Sequence, residues 1–139
     1  MGGALWWRGC FLWAMGDQLT FERLVVWQEA RALTKRVYFL SETGPLARDW
    51  PLRNQMRKAA VSVAANIAEG WERSRPRQLL HFLTIAKASC AELRSHLHIA
   101  HTIGYLDSKP YSEAIAASLT VGGLIGRLWL KTKQRAPPS

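Results

Sequence analysis

The sequence is poor in cysteine: Cys10 and Cys90 are the only two among 139 residues, far apart and not in a CxxC pair. That usage excludes a disulfide framework and the usual zinc signatures, and it fits a reducing, cytoplasmic setting. Acidic residues are scarce too, ten against nineteen lysines and arginines, leaving a formal charge of +9. Such an imbalance concentrates polyanions such as nucleic acid or an acidic membrane face, although a basic domain can also carry a merely solvated face. No run of period-two alternation is present, so no sheet is expected. Also missing are a glycine-rich phosphate loop, a serine nucleophile elbow and a cysteine–histidine pair in a matching context. Catalysis has no motif to rest on, and the chain reads as non-enzymatic, with no cofactor.

Histidines are few and badly spaced for a metal. His96 and His98 stand about 200° apart around a helix and cannot share an ion within one chain, and Glu92 with His96 lacks the paired Glu-x-x-His motifs of di-iron bundles. No metal site is expected.

What is present is apolar residue in quantity, 48% of the chain, enough for one domain that buries roughly two-thirds of its unfolded surface. The opening stretch MGGALWWRGCFLWAMG is apolar and Trp-rich but too short to span a bilayer, and it lacks the basic start and cleavage site of a signal peptide. Two readings stand: an upstream extension preceding a natural start at Met15, or an interfacial anchor using Trp6, Trp7 and Trp13. Residues 1–19 are accordingly set apart as disordered or non-native, 20–134 form the folded domain, and 135–139 are a disordered tail. No membrane partner is expected.

Four helices follow from the 3.6-residue period. The first runs from Leu24 to Leu40 with Val26, Ala30, Leu33, Val37 and Leu40 on one face, and a loop containing Gly44 and Pro45 covers Ser41 to Trp50. The second spans Pro51 to Arg73 with Asp49 near its N-cap. The third starts at Ser74 and Pro76, carries Leu79, Leu83, Ala86, Cys90, Leu93 and Leu97 on one stripe, and ends near Gly104 in a left-handed cap. The fourth runs from Asp107 and Ser108 to Gln134, with Ile115, Leu119 and Trp129 on its main apolar side. Comparable lengths and short loops predict an all-α, antiparallel up-down-up-down four-helix bundle.

Apolar residues away from those stripes, namely Ile85, Ile99 and Ile103 on the third helix and Val121, Leu124 and Leu128 on the fourth, predict a homo-oligomer interface. Ser118, Gly122 and Gly126 add a small-residue groove for close helix packing, or a hinge. On the second helix Gln55, Ser62, Asn66 and Glu69 share one line and, with Glu92, predict a buried polar network; a ligand cleft is the alternative. Arg53, Arg57 and Lys58, with Arg73, Arg75 and Arg77, are the expected phosphate contacts, although they could also be solvated charges at helix ends.

The segments FERLVVWQEA, QMRKAAVSVAANIAEGWER, FLTIAKASCAEL and HIAHTIGYLD resemble the four-helix-bundle family that includes proteins encoded in bacterial 23S rRNA intervening sequences. The resemblance covers Phe21 to Leu130 and is carried by the NIAEG run of Asn66 to Gly70, the pair Glu92–Leu93 and the turn Gly104 to Leu106. It implies a bundle assembled as a pentameric ring in a bacterial cytoplasm. The chain is also similar to the accessory variability determinant of diversity-generating retroelements, which implies a reverse transcriptase as a partner. The functional expectation is a homo-oligomeric scaffold binding nucleic acid, RNA foremost, without strong sequence specificity. The alternative is an adaptor docking an enzyme such as a reverse transcriptase.

Overall fold

A computed structural model describes residues 20–138. Among the described residues there are five α-helices, one short 3-10 turn and no strand. The 3-10 turn Phe21–Arg23 leads into α1, Val25–Leu40, and a short helix α2, Gly44–Arg48, follows. Then come α3, Trp50–Glu72, α4, Pro76–Thr102, and α5, Ser108–Arg135. The four long helices contact one another in a closed circuit, α1 on α3, α3 on α4, α4 on α5 and α5 on α1. α5 is long and apolar enough to cross a membrane by length and composition alone. It packs against α4 and α1 with Val121 and Ile125 buried.

Each helix boundary has a local cause. Phe21 sets its ring edge against Trp27 at 5.0 Å, and the Gln28 amide donates to the Glu22 carbonyl at 2.9 Å, fixing the entry to α1. Where a loop is expected, α2 forms, because Pro45 suits a first helical turn and Leu46 finds a fully buried place in the core. Asp49 caps α3 by accepting the Leu52 N–H at 3.2 Å. The α3–α4 turn passes through Ser74 at φ 56°, and Pro76 opens α4. α4 ends in a Schellman turn: Gly104 takes φ 84°, and the Tyr105 N–H reaches back to the Ala100 carbonyl at 2.8 Å.

The core is one cluster drawn from every helix, with Leu33, Leu46, Met56, Ile67, Leu83, Leu93, Leu97 and Ile125 fully buried. Burial of each such side chain stabilises the fold by about 1.5–3 kcal/mol before entropy is counted. The expected stripe on α4 is buried throughout, and on α1 all of it is buried but Leu40, which is half-buried. α5 is rotated relative to expectation. Its buried line is Ala114, Ser118, Val121, Ile125 and Thr132, whereas Ile115 and Trp129 are half-buried and Leu119 is exposed. Small residues line the buried side, so hydrophobic bulk misassigns the face by about one residue's turn.

Candidate nucleic-acid interface

The cations expected to meet phosphate fall at the two ends of α3. Arg53, Arg57 and Lys58 lie in its first turns and Arg73 caps its other end, about 22 Å along the helix axis from Lys58 and about 30 Å from Arg53. They are not one patch.

The first group is largely occupied by the protein itself. Arg57 donates from Nε to Ser41 Oγ at 2.8 Å and from Nη2 to the Ser41 carbonyl at 3.3 Å, and its guanidinium lies 4.4 Å from the Tyr38 ring centroid. Arg53 donates to the Ala47 carbonyl at 3.0 Å and covers Trp50 at 4.4 Å. Both tie α2 and its flanking turns onto α3. Lys58 is exposed and holds no hydrogen bond or ion pair among the described residues.

At the other end Arg73 pairs with Glu69 at 3.0 Å, one turn back on the same side of the chain, and its guanidinium sits 5.3 Å from the Phe82 ring centroid. Arg75 and Arg77 are exposed and make no such bond among the described residues. Lys58, Arg75 and Arg77 are therefore the members of the expected set whose charge is open to a ligand.

The polar line on α3 is only partly a buried network. Ser62 and Ser89 share a 2.9 Å hydrogen bond across α3 and α4, and the Asn66 amide donates to the Ser62 carbonyl at 2.8 Å and hydroxyl at 3.0 Å. Gln55, Glu69 and Glu92 are exposed. The correction has a simple cause: the carboxylates stay solvated and pair locally, Glu69 with Arg73 and Glu92 with His96 at 3.4 Å, instead of paying desolvation in the core. Ser89, which the sequence reading did not single out, is the buried end of the network.

The apolar residues expected at an oligomer interface also divide. Ile99 is 46% and Ile103 is 51% exposed on α4. Ile85 is half-buried, and Leu124 and Leu128 are half-buried against the core. Val121 is 1% exposed and belongs to the core of its own chain, because the rotated α5 turns it inward. Leu119, Leu130 and Phe39 are exposed instead.

Histidines weighed only as metal ligands turn out to be ring partners. The Tyr111 hydroxyl and His98 Nδ1 are 2.6 Å apart, and His101 stacks on Tyr111 at 4.1 Å and 16° between planes. Tyr111 lies one turn into the helix that follows the α4–α5 turn. Among the described residues no group of three or more His, Cys, Asp or Glu is placed to hold a metal ion. Tyr105, in the same turn, is held above the usual tyrosine range by hydrogen bonding of its phenol toward Asp49, then by burial and by the charge of that carboxylate. Cys90 is buried, and burial pushes its thiol up to about 11, against a small opposing pull from Arg94. It is an inert core thiol.

These features define an all-helical, strongly basic protein with open cations at separate places on its surface. The chain belongs to the 23S rRNA-intervening sequence protein family, whose model matches residues 22–127. The match spans α1 through most of α5. None of the curated proteins compared matches the chain.

Proposed function

We propose that this protein is a non-enzymatic, homo-oligomeric cytoplasmic scaffold that associates with RNA through surface cations, without strong sequence specificity. The observation that carries this reading is the combination of a +9 chain with cations such as Lys58, Arg75 and Arg77 that have no intramolecular partner among the described residues. Membership of a family described by its origin in 23S rRNA is compatible with RNA association. Contacts to phosphate would position the RNA without reading its bases.

The arrangement we favour is the antiparallel up-down-up-down four-helix bundle. It is supported by the closed circuit of helix contacts and by the Tyr105–Asp49 hydrogen bond, which brings the α4–α5 turn to the start of α3. The Arg36–Glu113 pair at 3.3 Å links α1 to α5 in the same sense. Self-association, with the pentamer as the favoured form, is supported by the exposed Ile99, Ile103, Leu119 and Leu130, since soluble monomers seldom display large apolar patches. A second reading, an adaptor that docks an enzyme such as a reverse transcriptase, is favoured by Phe39 and Trp50, both well exposed on either side of α2.

Light-scattering mass of the purified protein, with and without a structured RNA across a salt series, tests the proposal. A multi-subunit particle that binds RNA at low salt and releases it steeply as salt rises is expected. A monomer indifferent to RNA overturns it, and an oligomer that ignores RNA leaves the adaptor.

A further inference from the structure

The outer side of the contact between α4 and α5 carries cations and rings, with Asp107, the N-cap of α5, at one end. On α4, Lys87, Arg94, His98 and His101 succeed one another at seven, four and three residues, which places them on one side of the helix over about 21 Å. On α5, Tyr111, Gly122, Gly126 and Lys133 fall on the line that faces them. The two lines touch. Arg94 Nη1 lies 3.9 Å from where a Cβ on Gly122 would stand, and Lys87 Nζ lies 4.0 Å from the same point on Gly126. At one end the Tyr111 ring is stacked on His101 and bonded to His98; at the other, Lys133 Nζ sits 4.9 Å from the Trp129 ring centroid.

The charge is uncompensated. The glutamates of these two helices turn elsewhere, Glu92 to His96 and Glu113 to Arg36 on α1. Lys87 and Arg94 hold no hydrogen bond or ion pair among the described residues. Cations spaced along the seam between two helices, with rings at its ends, are what an unpaired strand needs, since its phosphates meet the cations and its bases are free to stack. A duplex keeps its bases inside, where these rings cannot reach them.

We propose that this α4–α5 groove is a binding track for single-stranded RNA, with Lys87 and Arg94 on successive phosphates and a base added to the open side of the His101–Tyr111 stack. The proposal rests on the RNA-associating reading above and gives it a place and a strand state.

The test is fluorescence anisotropy of the full chain with a labelled mixed-sequence 12-nucleotide RNA, single-stranded or annealed to its complement, across a salt series. Three variants are compared with the parent: Lys87→Gln with Arg94→Gln, His101→Ala, and the end set Lys58→Gln, Arg75→Gln and Arg77→Gln. The parent should prefer the single strand. The double glutamine variant and His101→Ala should each weaken it roughly tenfold, the former also lowering the salt slope by about 1.4, while the end set costs less. Parent-like binding by the groove variants, or a preference for duplex, overturns the groove while leaving RNA association standing. No RNA binding by the parent overturns both. Helical circular dichroism and melting accompany each variant; should His101→Ala unfold, the substitutions at exposed Lys87 and half-buried Arg94 decide alone.

Discussion

Gly70 of α3 packs directly against Phe82 of α4: a Cβ built on Gly70 would stand 2.7 Å from Phe82 Cβ and 3.2 Å from Leu79 Cδ1. The atom in the way is fixed to the α4 backbone, so no rotamer change relieves it. Gly70→Ala is expected to push the helices apart and destabilise the protein by about 1–3 kcal/mol despite alanine's better helix propensity. Thermal melting decides this, and an unchanged or raised midpoint would show that α3 and α4 can separate freely.

Arg57 binds Ser41 through two donors and covers Tyr38, and Ser41 is fully buried. Arg57→Ala should therefore cost about 1–3 kcal/mol of stability by leaving that corner unpaired. Lysine should not restore it, because it lacks the planar fork. Urea melts of the two variants provide the measurement. A large loss of RNA affinity at unchanged stability would instead assign Arg57 to the ligand.

Ser74 is the one described residue other than glycine with positive φ, at 56°, and its only side-chain bond is a long 3.4 Å contact to the Glu72 carbonyl. A left-handed conformation costs an L-residue roughly 1–2 kcal/mol, part of which glycine repays in unfolded-state entropy. Ser74→Gly is expected to stabilise by up to about 1 kcal/mol, seen as a rise of a few degrees in Tm. A fall in Tm would mean that the serine hydroxyl supports the turn.

Cys90 has its thiol pushed up to about 11 by burial, above its ordinary 9.0. The folded state thus holds the proton more tightly than the unfolded one. Its contribution to stability is complete below pH 9 and is lost as pH rises from there through about 11. In a Cys10→Ser background, a thiol reagent at pH 8 should label Cys90 at the rate of unfolding and at full speed in denaturant. Fast labelling of the folded protein would show that the core opens locally.

Much of the helix layout is legible in the sequence because its punctuation is chemical. Asp49, Pro76 and Gly104 act at the caps and turns their residue types favour, and the Leu79 to Leu97 stripe is large, regular and buried. α5 defeats the same reasoning, since its apolar residues surround the helix and its buried line includes Ala114, Ser118 and Thr132. The arginines mislead for a different reason: sequence shows a guanidinium but not whether a carbonyl such as that of Ser41 or Ala47 has already claimed it. Likewise the separation of His98 and Tyr111 by thirteen residues conceals their contact, which exists only once the α4–α5 turn is closed.

Gly122, Gly123 and Gly126 lie within α5, each costing about 1 kcal/mol of helix propensity relative to alanine. This helix therefore depends on the neighbours it packs on. The same dependence makes the α5 amides the first of the long helices to exchange with solvent deuterium.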